Sequence, residues 1–471
     1  DKPKYKWDEE WFENVPIDHF SNKINNKTFK LRYLINTEYF KRKDAPIFFC
    51  LGGQYSIEYH PSDFGFLWDT ASEFGAALIF AEHRYFGHTK PFGNDSFSNV
   101  SNLIYLSPEQ AIADFVLLIG YLKEKRLVNA NNSPVITFGG SYGGELNAWM
   151  RLKYPKVTAG AIASSAPIHY YLNVPNLIQS SYYDIIMRTY SHYGCTMEMF
   201  NKSFDAIRKL SNTSEGRQFL NKNYHLSPLS QINSLYDAQQ LIDTFTSLME
   251  DASEWNYNEP VRPAFPANIS CQAFTSAKTF EDFALAPYNT INLFYNSTGD
   301  ETDFQLWNFT DDSSTSGINA WYWLTCTKII HVLCSRGPPY DVFNKTCPYN
   351  MNDDLDFCLP YLSSIGYTKD YYQPNWVTDN FGYDFKTATN LVFTYGIYDP
   401  WTGGAWRQYP TNLGSVYSYI TDGGHVYDIR ENRPTDTNNI KFIRFREKMH
   451  IASWIHQAKF NSNTTDEQEF N

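Results

Sequence analysis

The chain has 471 residues and a formal net charge of −12, and such an acidic surface disfavours nucleic acid and anionic membranes as partners because it repels phosphate groups. Hydrophobic residues make up 42% of the chain and aromatic residues 17%, enough for a packed core, and the length predicts one large domain with an added layer or insertion. The longest apolar stretches, such as residues 115–122, are far shorter than the roughly 20 residues that a membrane span needs.

The ends and the sequons of the chain indicate passage through a secretory compartment. The chain begins at Asp1 rather than Met, so we expect a mature secreted or lysosomal protein from which a signal peptide has been removed. Glycosylation is predicted on asparagines of Asn-x-Ser/Thr sequons, which are Asn26, Asn94, Asn99, Asn131, Asn201, Asn212, Asn268, Asn296, Asn308, Asn344 and Asn463.

The cysteines are confined to one part of the chain. Six of the seven lie in the middle of the sequence, namely Cys195, Cys271, Cys326, Cys334, Cys347 and Cys358, whereas Cys50 stands alone in an apolar segment. No Cys-x-x-Cys pair is present, so a zinc site is not predicted. No other metal and no cofactor is predicted. Disulfides within one subdomain are the better interpretation, and the odd count leaves at least one free thiol, for which Cys50 is the candidate.

Strand and helix patterns alternate in the first third of the chain. Short apolar segments at residues 29–34, 46–51, 77–81, 134–138 and 160–164 predict strands. Helical spacing of apolar residues predicts helices at 107–125, where Ser107 is the N-cap, and at 145–154. Buried strands that alternate with helices are typical of a mostly parallel sheet covered on both faces.

The pattern changes after Pro167 and returns near the end of the chain. Helices are predicted at 185–210, 236–249 and 318–332, and this region also holds the clustered cysteines. Strands are predicted again at 391–395 and 416–421, followed by a helix at 440–459. We therefore predict an N-terminal part of the sheet domain at 1–170, an inserted helical, disulfide-bonded cap at 171–375, and the C-terminal part of the sheet domain at 376–471.

The segment Gly139-x-Ser141-x-Gly143 carries the main chemical signal. It follows a predicted strand and precedes a predicted helix, which is the context of the nucleophile elbow in an α/β-hydrolase fold. The turn is tight enough to require glycine at its flanks, and it presents the Ser141 hydroxyl above the sheet. The backbone N–H of Tyr142 is the first predicted oxyanion donor, and Gly53 or Gln54 in the loop after strand 46–51 is the second.

A serine nucleophile needs a base and a carboxylate that orients the base. In this fold the order along the chain is serine, acid, histidine, each just after a strand. Asp399 follows the strand at 391–395, and His425 follows the strand at 416–421. These two residues are therefore the predicted acid and base, against the simpler interpretations of an Asp-Pro turn and a loop histidine.

Several other residues are candidates for the site. Glu145 lies one turn into the helix after Ser141, where a carboxylate is favourable on dipole grounds alone, but its position also predicts a role in the substrate pocket. Trp401, two residues after Asp399, is predicted at the mouth of that pocket. The segment Glu82-His83-Arg84 is predicted to support the oxyanion loop, with a buried ion pair as the alternative. Arg430 either tunes His425 or pairs with an acid such as Asp428.

Taken together, the motifs resemble the family of serine exopeptidases that contains prolylcarboxypeptidase and dipeptidyl peptidase II. The matching segments occur in the family's order over nearly the whole chain, and they are WFENVPIDHF at 11–20, AEHRYFG at 81–87, PFG at 91–93, SPEQAIAD at 107–114, GGSYGG at 139–144, RLKYP at 151–155, SSAP at 164–167, DPWTGG at 399–404 and GHVYDIR at 424–430. The helical insertion is likewise a feature of that family.

The resemblance implies the same triad of Ser141, Asp399 and His425, and it implies peptide substrates that contain proline. It also implies disulfides between Cys195 and Cys334 and between Cys326 and Cys358, with Cys271 and Cys347 left open. Family members can dimerise, so a homodimer stays open as well.

The chain departs from the family pattern at three places. Glu145 stands where the family often carries methionine, the loop at 52–56 lacks the family's acids, and His425 is followed by Val426 rather than a second histidine. The missing acids disfavour a dipeptidyl peptidase, which must neutralise the substrate's terminal ammonium.

The expected function is a Pro-Xaa carboxypeptidase that removes the residue after proline through an acyl-enzyme at Ser141. Release of N-terminal Xaa-Pro dipeptides is the alternative within the same class. An esterase or lipase on the same scaffold, or an inactive binding glycoprotein, represents the other classes.

Overall fold

One eight-stranded sheet forms the centre of the protein. The computed structural model describes residues 4–21, 27–258, 263–307, 316–407 and 414–469. The strand order is β1-β2-β4-β3-β5-β6-β7-β8, with β2 antiparallel to both of its neighbours and the other pairs parallel. The strands are β1 Asp8–Pro16, β2 Thr28–Asn36, β3 Ile47–Leu51, β4 Ala77–Ala81, β5 Val135–Gly140, β6 Gly160–Ser164, β7 Leu391–Gly396 and β8 Val416–Thr421.

Burial explains which strands the sequence revealed. Every residue of β3, β4 and β6 is buried, because helices cover both faces of the parallel part of the sheet. Such strands appear in the sequence as short continuous apolar segments, and their predictions are confirmed. The edge strand β1 is mostly exposed and carries five acidic or amide residues. This composition protects a sheet edge but gives little strand signal, and β1 was not predicted.

Helices flank the sheet and fill the region between β6 and β7. The described helices are α1 His60–Asp63, α2 Gly65–Phe74, α3 Val100–Leu103, α4 Pro108–Tyr121, α5 Tyr142–Lys153, α6 Ser181–His192, α7 Met197–Ser211, α8 Ser214–Asn223, α9 Leu235–Glu254, α10 Pro266–Ser276, α11 Phe280–Leu285, α12 Tyr288–Tyr295, α13 Ser316–Thr325, α14 Met351–Tyr361, α15 Trp376–Phe381 and α16 Asn438–Glu469. Among the described residues, no helix is both long and apolar enough to cross a bilayer.

The inserted helices differ in detail from the sequence-based expectation. The helix predicted at 185–210 is two helices, α6 and α7, because the chain turns at Gly194, whose φ is +92°. The helix predicted at 318–332 ends at Thr325. Helices α6 to α12 enclose a hydrophobic core of their own, whereas Trp323 and Leu324 of α13 pack into the core of the sheet.

The strand order and the helical insertion confirm an α/β-hydrolase fold with a disulfide-bonded cap. The boundaries at residues 170 and 375 stay a prediction.

The disulfides correct one predicted pairing. Cys326 bonds Cys358 as expected, but Cys195 bonds Cys271 and not Cys334. The start of α7 lies against α10, which brings the Cα atoms of Cys195 and Cys271 to 5.7 Å, within the range of a disulfide.

Cys334 instead bonds Cys347, at a Cα separation of 4.8 Å. A backbone bridge between Ser335 and Thr346 folds the intervening chain back on itself. Cys334 is therefore closest in space to Cys347, which is also near it in the sequence. Cys50 is buried on β3 and is the free cysteine, as predicted, and three disulfides are typical of an oxidising compartment.

A buried ion pair fastens the N-terminal segment to the sheet. The Arg84 guanidinium donates to both carboxylate oxygens of Asp114, with Nε to Oδ2 at 2.7 Å and Nη2 to Oδ1 at 2.6 Å. Its other N–H groups donate to the carbonyl oxygens of Pro16, Ile17 and Tyr105. Both side chains of the pair are fully buried.

Removal of one partner from this pair is expected to be costly. We expect Asp114→Ala to lower the free energy of unfolding by about 3–5 kcal/mol, because Arg84 then stays buried without its counter-charge. Chemical denaturation of the folded protein measures the change. Glu198→Ala is the control, since Glu198 forms an exposed helix-surface pair with Lys202 and its loss should not change stability measurably. An equal, small effect of both variants would contradict the prediction.

Candidate active site

Ser141 occupies a strained turn between β5 and α5. Its backbone has φ 56° and ψ −129°, a conformation that non-glycine residues rarely adopt. Two glycines make the turn passable: a Cβ on Gly139 would lie 2.1 Å from the carbonyl oxygen of Gly143, and one on Gly143 would lie 3.0 Å from that of Leu51. The glycine-flanked pattern in the sequence therefore corresponds to a real steric requirement.

The predicted oxyanion donors lie on two sides of this turn. Tyr142 is the first residue of α5, so its N–H has no partner within the helix. Gly53 and Gln54 line the same cavity as Ser141. The approach of the two loops is close, since a Cβ on Gly53 would lie 3.2 Å from the nitrogen of Gly143.

The segment after β4 buttresses both of these loops. Glu82 Oε1 accepts the backbone N–H of Ile57 at 3.1 Å, which anchors the loop after β3. His83 Nε2 lies 3.1 Å from the Tyr142 hydroxyl at the start of α5. Burial lowers the pKa of His83 to about 4, so this imidazole is neutral and acts as a hydrogen-bonding support.

Asp399 and His425 form the best-defined contact of the site. His425 Nδ1 donates to Asp399 Oδ2 at 2.8 Å, and the other oxygen, Oδ1, accepts the backbone N–H of Trp401 at 3.0 Å. Asp399 is fully buried and follows β7, and His425 lies in the loop after β8. Because β6, β7 and β8 are parallel neighbours, both loops emerge at the same edge of the sheet.

Ser141 and His425 face one cavity of about 260 Å³. Among the hydrogen bonds of the described residues there is none between Ser141 Oγ and the imidazole, as is common before substrate binds. The cavity is lined by Gly53, Gln54, Tyr55, Tyr59, His60, Asp63, Phe64, Gly140, Ser141, Glu254, Trp255, His425, Val426 and Arg430.

Carboxylates surround the His425 imidazole on two sides. Asp399 holds Nδ1, and the carboxylate of Glu254 lies 3.7 Å from Nε2. Burial on its own lowers the pKa of the imidazole, but Asp399 and Glu254 offset that effect, and the pKa of His425 is raised to about 9. Burial raises the pKa of Glu254 to about 7.

Glu145 and Trp401 do not line this cavity as described, although the Trp401 side chain donates a hydrogen bond to the Glu254 carboxylate, which does. Glu145 is fully buried, accepts a hydrogen bond from the Tyr171 hydroxyl at 2.7 Å and lies 3.5 Å from His331 Nε2. Trp401 packs against His331, with ring centroids 5.0 Å apart, and neither side chain is among the described residues that line the cavity with Ser141. Their role in the substrate pocket stays a prediction.

The sequence analysis missed Glu254. This residue ends α9 of the cap, more than 100 residues from any predicted site residue before it, and Glu250, Asp251 and Glu254 have the spacing of an ordinary solvent-facing helix surface. No local pattern distinguishes such a carboxylate from any other surface acid. Arg430, for which two roles were open, lines the cavity. Its guanidinium carbon lies over the ring of Tyr257, 5.2 Å from the ring centroid.

Comparison with known proteins yields one family and several full-length relatives. The sequence profile of the family described as serine carboxypeptidase S28 matches residues 15–447. Prolyl carboxy peptidase like protein 5 of Caenorhabditis elegans is 36% identical over 470 residues, which cover 98% of this chain and 92% of the relative. Human lysosomal Pro-X carboxypeptidase is 33% identical, with coverage of 93% and 86%, and human thymus-specific serine protease is 26% identical, with coverage of 95% and 87%.

Proposed function

Because the chain belongs to the serine carboxypeptidase S28 family, we propose that this serine peptidase removes the C-terminal residue that follows proline, with Ser141, His425 and Asp399 as its catalytic triad. The observation that carries the proposal is the cavity itself, which Ser141, His425 and Arg430 line together. A serine carboxypeptidase needs a nucleophile, a base and a cation for the terminal carboxylate, and these three residues supply one of each.

The proposed chemistry proceeds in two halves. Ser141 Oγ attacks the carbonyl carbon of the proline residue while His425 Nε2 takes the hydroxyl proton. The backbone N–H groups of Tyr142 and of Gly53 or Gln54 stabilise the oxyanion. The carbon–nitrogen bond then breaks, and the leaving amine takes the proton from Nε2.

In the second half, water attacks the acyl-enzyme with His425 again as the base. The products are a peptide that ends in proline and one free amino acid. Asp399 orients the imidazole and stabilises the imidazolium that forms in both halves.

Arg430 is the proposed anchor for the terminal carboxylate. Its side chain is 4% exposed, and among the described cavity-lining residues it is the cation whose charge does not depend on pH in the working range. A guanidinium in a nearly dry site binds a carboxylate with charge-assisted hydrogen bonds. The relative named lysosomal Pro-X carboxypeptidase, 33% identical to this chain, supports the same choice.

A second candidate activity rests on the acids of the same cavity. Asp63 and Glu254 line it together with Ser141, and carboxylates are what a dipeptidyl peptidase needs to hold an N-terminal ammonium. Asp63 of α1 and Glu254 of the cap could therefore take over the role of the acids that the loop at 52–56 lacks. We keep this activity as the alternative.

Peptides blocked at one end separate the two activities. We expect an N-blocked peptide that ends in Pro-Phe to be cleaved, and Lys-Pro-amide to be left intact, in an assay that detects the released amino acid or dipeptide. Turnover of Lys-Pro-amide without cleavage of the blocked Pro-Phe peptide would replace the carboxypeptidase with the dipeptidyl peptidase.

Substitution of the proposed anchor should affect substrate binding selectively. We expect Arg430→Gln to raise KM about 10–100-fold for a substrate with a free C-terminal carboxylate, because a charge-assisted hydrogen bond contributes about 1.5–3 kcal/mol. The same variant should change KM little when that carboxylate is an amide.

Arg433→Gln is the matched control. Arg433 lies three residues after Arg430 in the sequence, pairs with Glu431, and is not among the described residues that line the cavity. Equal losses of Arg430→Gln on both substrates would exclude Arg430 as the anchor.

We infer a lysosomal or secreted location from the disulfides and from the lysosomal relative. Most of the predicted glycosylation sites within the described residues are exposed, which enzymatic glycosylation requires, namely Asn94, Asn99, Asn131, Asn201, Asn212 and Asn344. Asn268 and Asn296 are half-buried. Asn26 and Asn308 lie outside the described residues, as does the side chain of Asn463. The homodimer stays a prediction.

A further inference from the structure

The end of cap helix α9 is docked onto the loop that carries His425. The carbonyl oxygen of Glu254 accepts the backbone N–H of His425 at 2.7 Å. The approach is so close that a Cβ on Gly424 would lie 2.1 Å from the same oxygen. Three residues beyond Glu254, Tyr257 stacks on Tyr427 of that loop, with ring centroids 5.1 Å apart and an interplanar angle of 7°.

This docking places the Glu254 side chain at the working nitrogen of the imidazole. Glu254 Oε1 lies 3.7 Å from His425 Nε2, within ion-pair range, and the Trp401 side chain donates a hydrogen bond to the same carboxylate. Ser141 Oγ, by contrast, makes no hydrogen bond to that nitrogen among the described residues. The cap therefore brings a second carboxylate to the atom that must accept the serine proton.

We propose that Glu254 is a positioning residue for the catalytic histidine: its carboxylate favours the protonated imidazole in the free enzyme, and the cap thereby sets the pH above which His425 can serve as the base. The inference rests on the proposed roles of Ser141 and His425.

The direction of the effect follows from simple electrostatics. A protonated Nε2 cannot take the Ser141 proton, so activity requires the neutral imidazole and rises as pH rises through the pKa of His425. A nearby negative charge favours the imidazolium, and Glu254 contributes to the raised pKa of His425. When the Glu254 charge is absent, the neutral imidazole should form at lower pH.

Other charged groups face the pair of Glu254 and His425 and also influence the protonation of the two side chains. Asp399 acts on both members from the loop after β7, and Asp428 acts on His425 from its own loop. The further titratable or charged groups near the pair are Tyr55, His60, Asp63, Tyr182, Glu250, Asp251 and Arg430. Glu254 is distinguished from these groups by its position at Nε2.

The test is the pH dependence of labelling by an uncharged fluorophosphonate, which reports the reactivity of Ser141 without any peptide. We expect Glu254→Gln to move the midpoint of the rising limb to lower pH by about one unit, the low end of the effect of a nearby charge. Between the pKa of Glu254, about 7, and the lower midpoint, where the wild-type carboxylate is charged, the variant should be labelled about tenfold faster than the wild-type protein. Glu254→Asp, which keeps the charge but withdraws it by one methylene, should give an intermediate midpoint, and it serves as the test if Glu254→Gln does not fold.

Glu250→Gln is the matched control. Glu250 lies one turn earlier on α9, its pKa is also raised to about 7 by burial, and it accepts a hydrogen bond from Tyr182 at 3.1 Å rather than facing His425. Its midpoint should stay close to that of the wild-type protein.

This inference alone is overturned if the midpoint of Glu254→Gln is unchanged or higher than that of the wild-type protein. It is also overturned if Glu254→Gln is labelled more slowly at every pH, which is what a purely structural role predicts. A wild-type protein that is not labelled at Ser141 at any pH overturns the proposed function together with it.

Discussion

Replacement of Ser141 by alanine is expected to abolish fluorophosphonate labelling and to lower kcat on an N-blocked Pro-Phe peptide by about 10⁶-fold. The reason is the loss of the proposed nucleophilic hydroxyl at the strained turn between β5 and α5. Residual turnover would come from the oxyanion donors and substrate binding, which the variant keeps. Active-site titration and steady-state kinetics measure the two effects.

The control for this variant is Ser62→Ala. Ser62 is exposed on α1 near the cavity, and its hydroxyl donates to the carbonyl oxygen of Tyr59 at 2.9 Å. This variant should retain labelling and kcat, and both variants should melt near the wild-type temperature. Labelling that persists in Ser141→Ala would show that another residue is the nucleophile.

The conversion of Asp399 to asparagine is expected to lower kcat by about 10⁴-fold with little change in fold. The backbone N–H of Trp401 requires an acceptor at the position of Oδ1, so the amide oxygen of the new side chain should take that place. Its NH₂ group would then face His425 Nδ1, which must act as the acceptor. The imidazole would carry its proton on Nε2 and could not take one from Ser141.

A control variant and a double variant test whether the effect is specific to Asp399. Asp422→Asn removes a carboxylate from the loop of His425 without touching the imidazole, since Asp422 accepts a hydrogen bond from Thr437 at 2.9 Å, and it should leave kcat unchanged. The double variant Ser141→Ala/Asp399→Asn should be hardly slower than Ser141→Ala, because the three residues act as a unit. A loss below tenfold in Asp399→Asn would mean that another group, such as Glu254, orients the imidazole.

Local sequence patterns were sufficient for the buried strands of the sheet and for the glycine-flanked turn that bears Ser141. Strands β3, β4 and β6 are buried along their whole length, so their amino acids had to form short apolar segments. Gly139 and Gly143 had to be glycines because the backbone of the turn leaves no space for a Cβ. Asp399 and His425 could be predicted as candidates for the same reason: each follows a recognisable strand, and the parallel sheet aligns the strand ends.

Contacts between distant segments were beyond such patterns. Glu145 has a favourable sequence position, one turn after Ser141, yet its carboxylate contacts Tyr171 and His331, and Glu145 is not among the described residues that line the cavity. Cys195 pairs with Cys271 rather than Cys334 because of how α7 lies on α10, and no spacing along the chain contains that information.

The sequence by itself determined the fold class, the nucleophile corner and the order of the candidate triad, since each depends on backbone sterics or on burial within a few consecutive residues. Only the tertiary structure decided the disulfide partners, the place of Glu145 and the presence of Glu254 at His425 Nε2. Glu254 is separated from His425 by 171 positions in the chain, and it arrives there through the packing of the cap, because a carboxylate gains its influence on an imidazole from proximity in space.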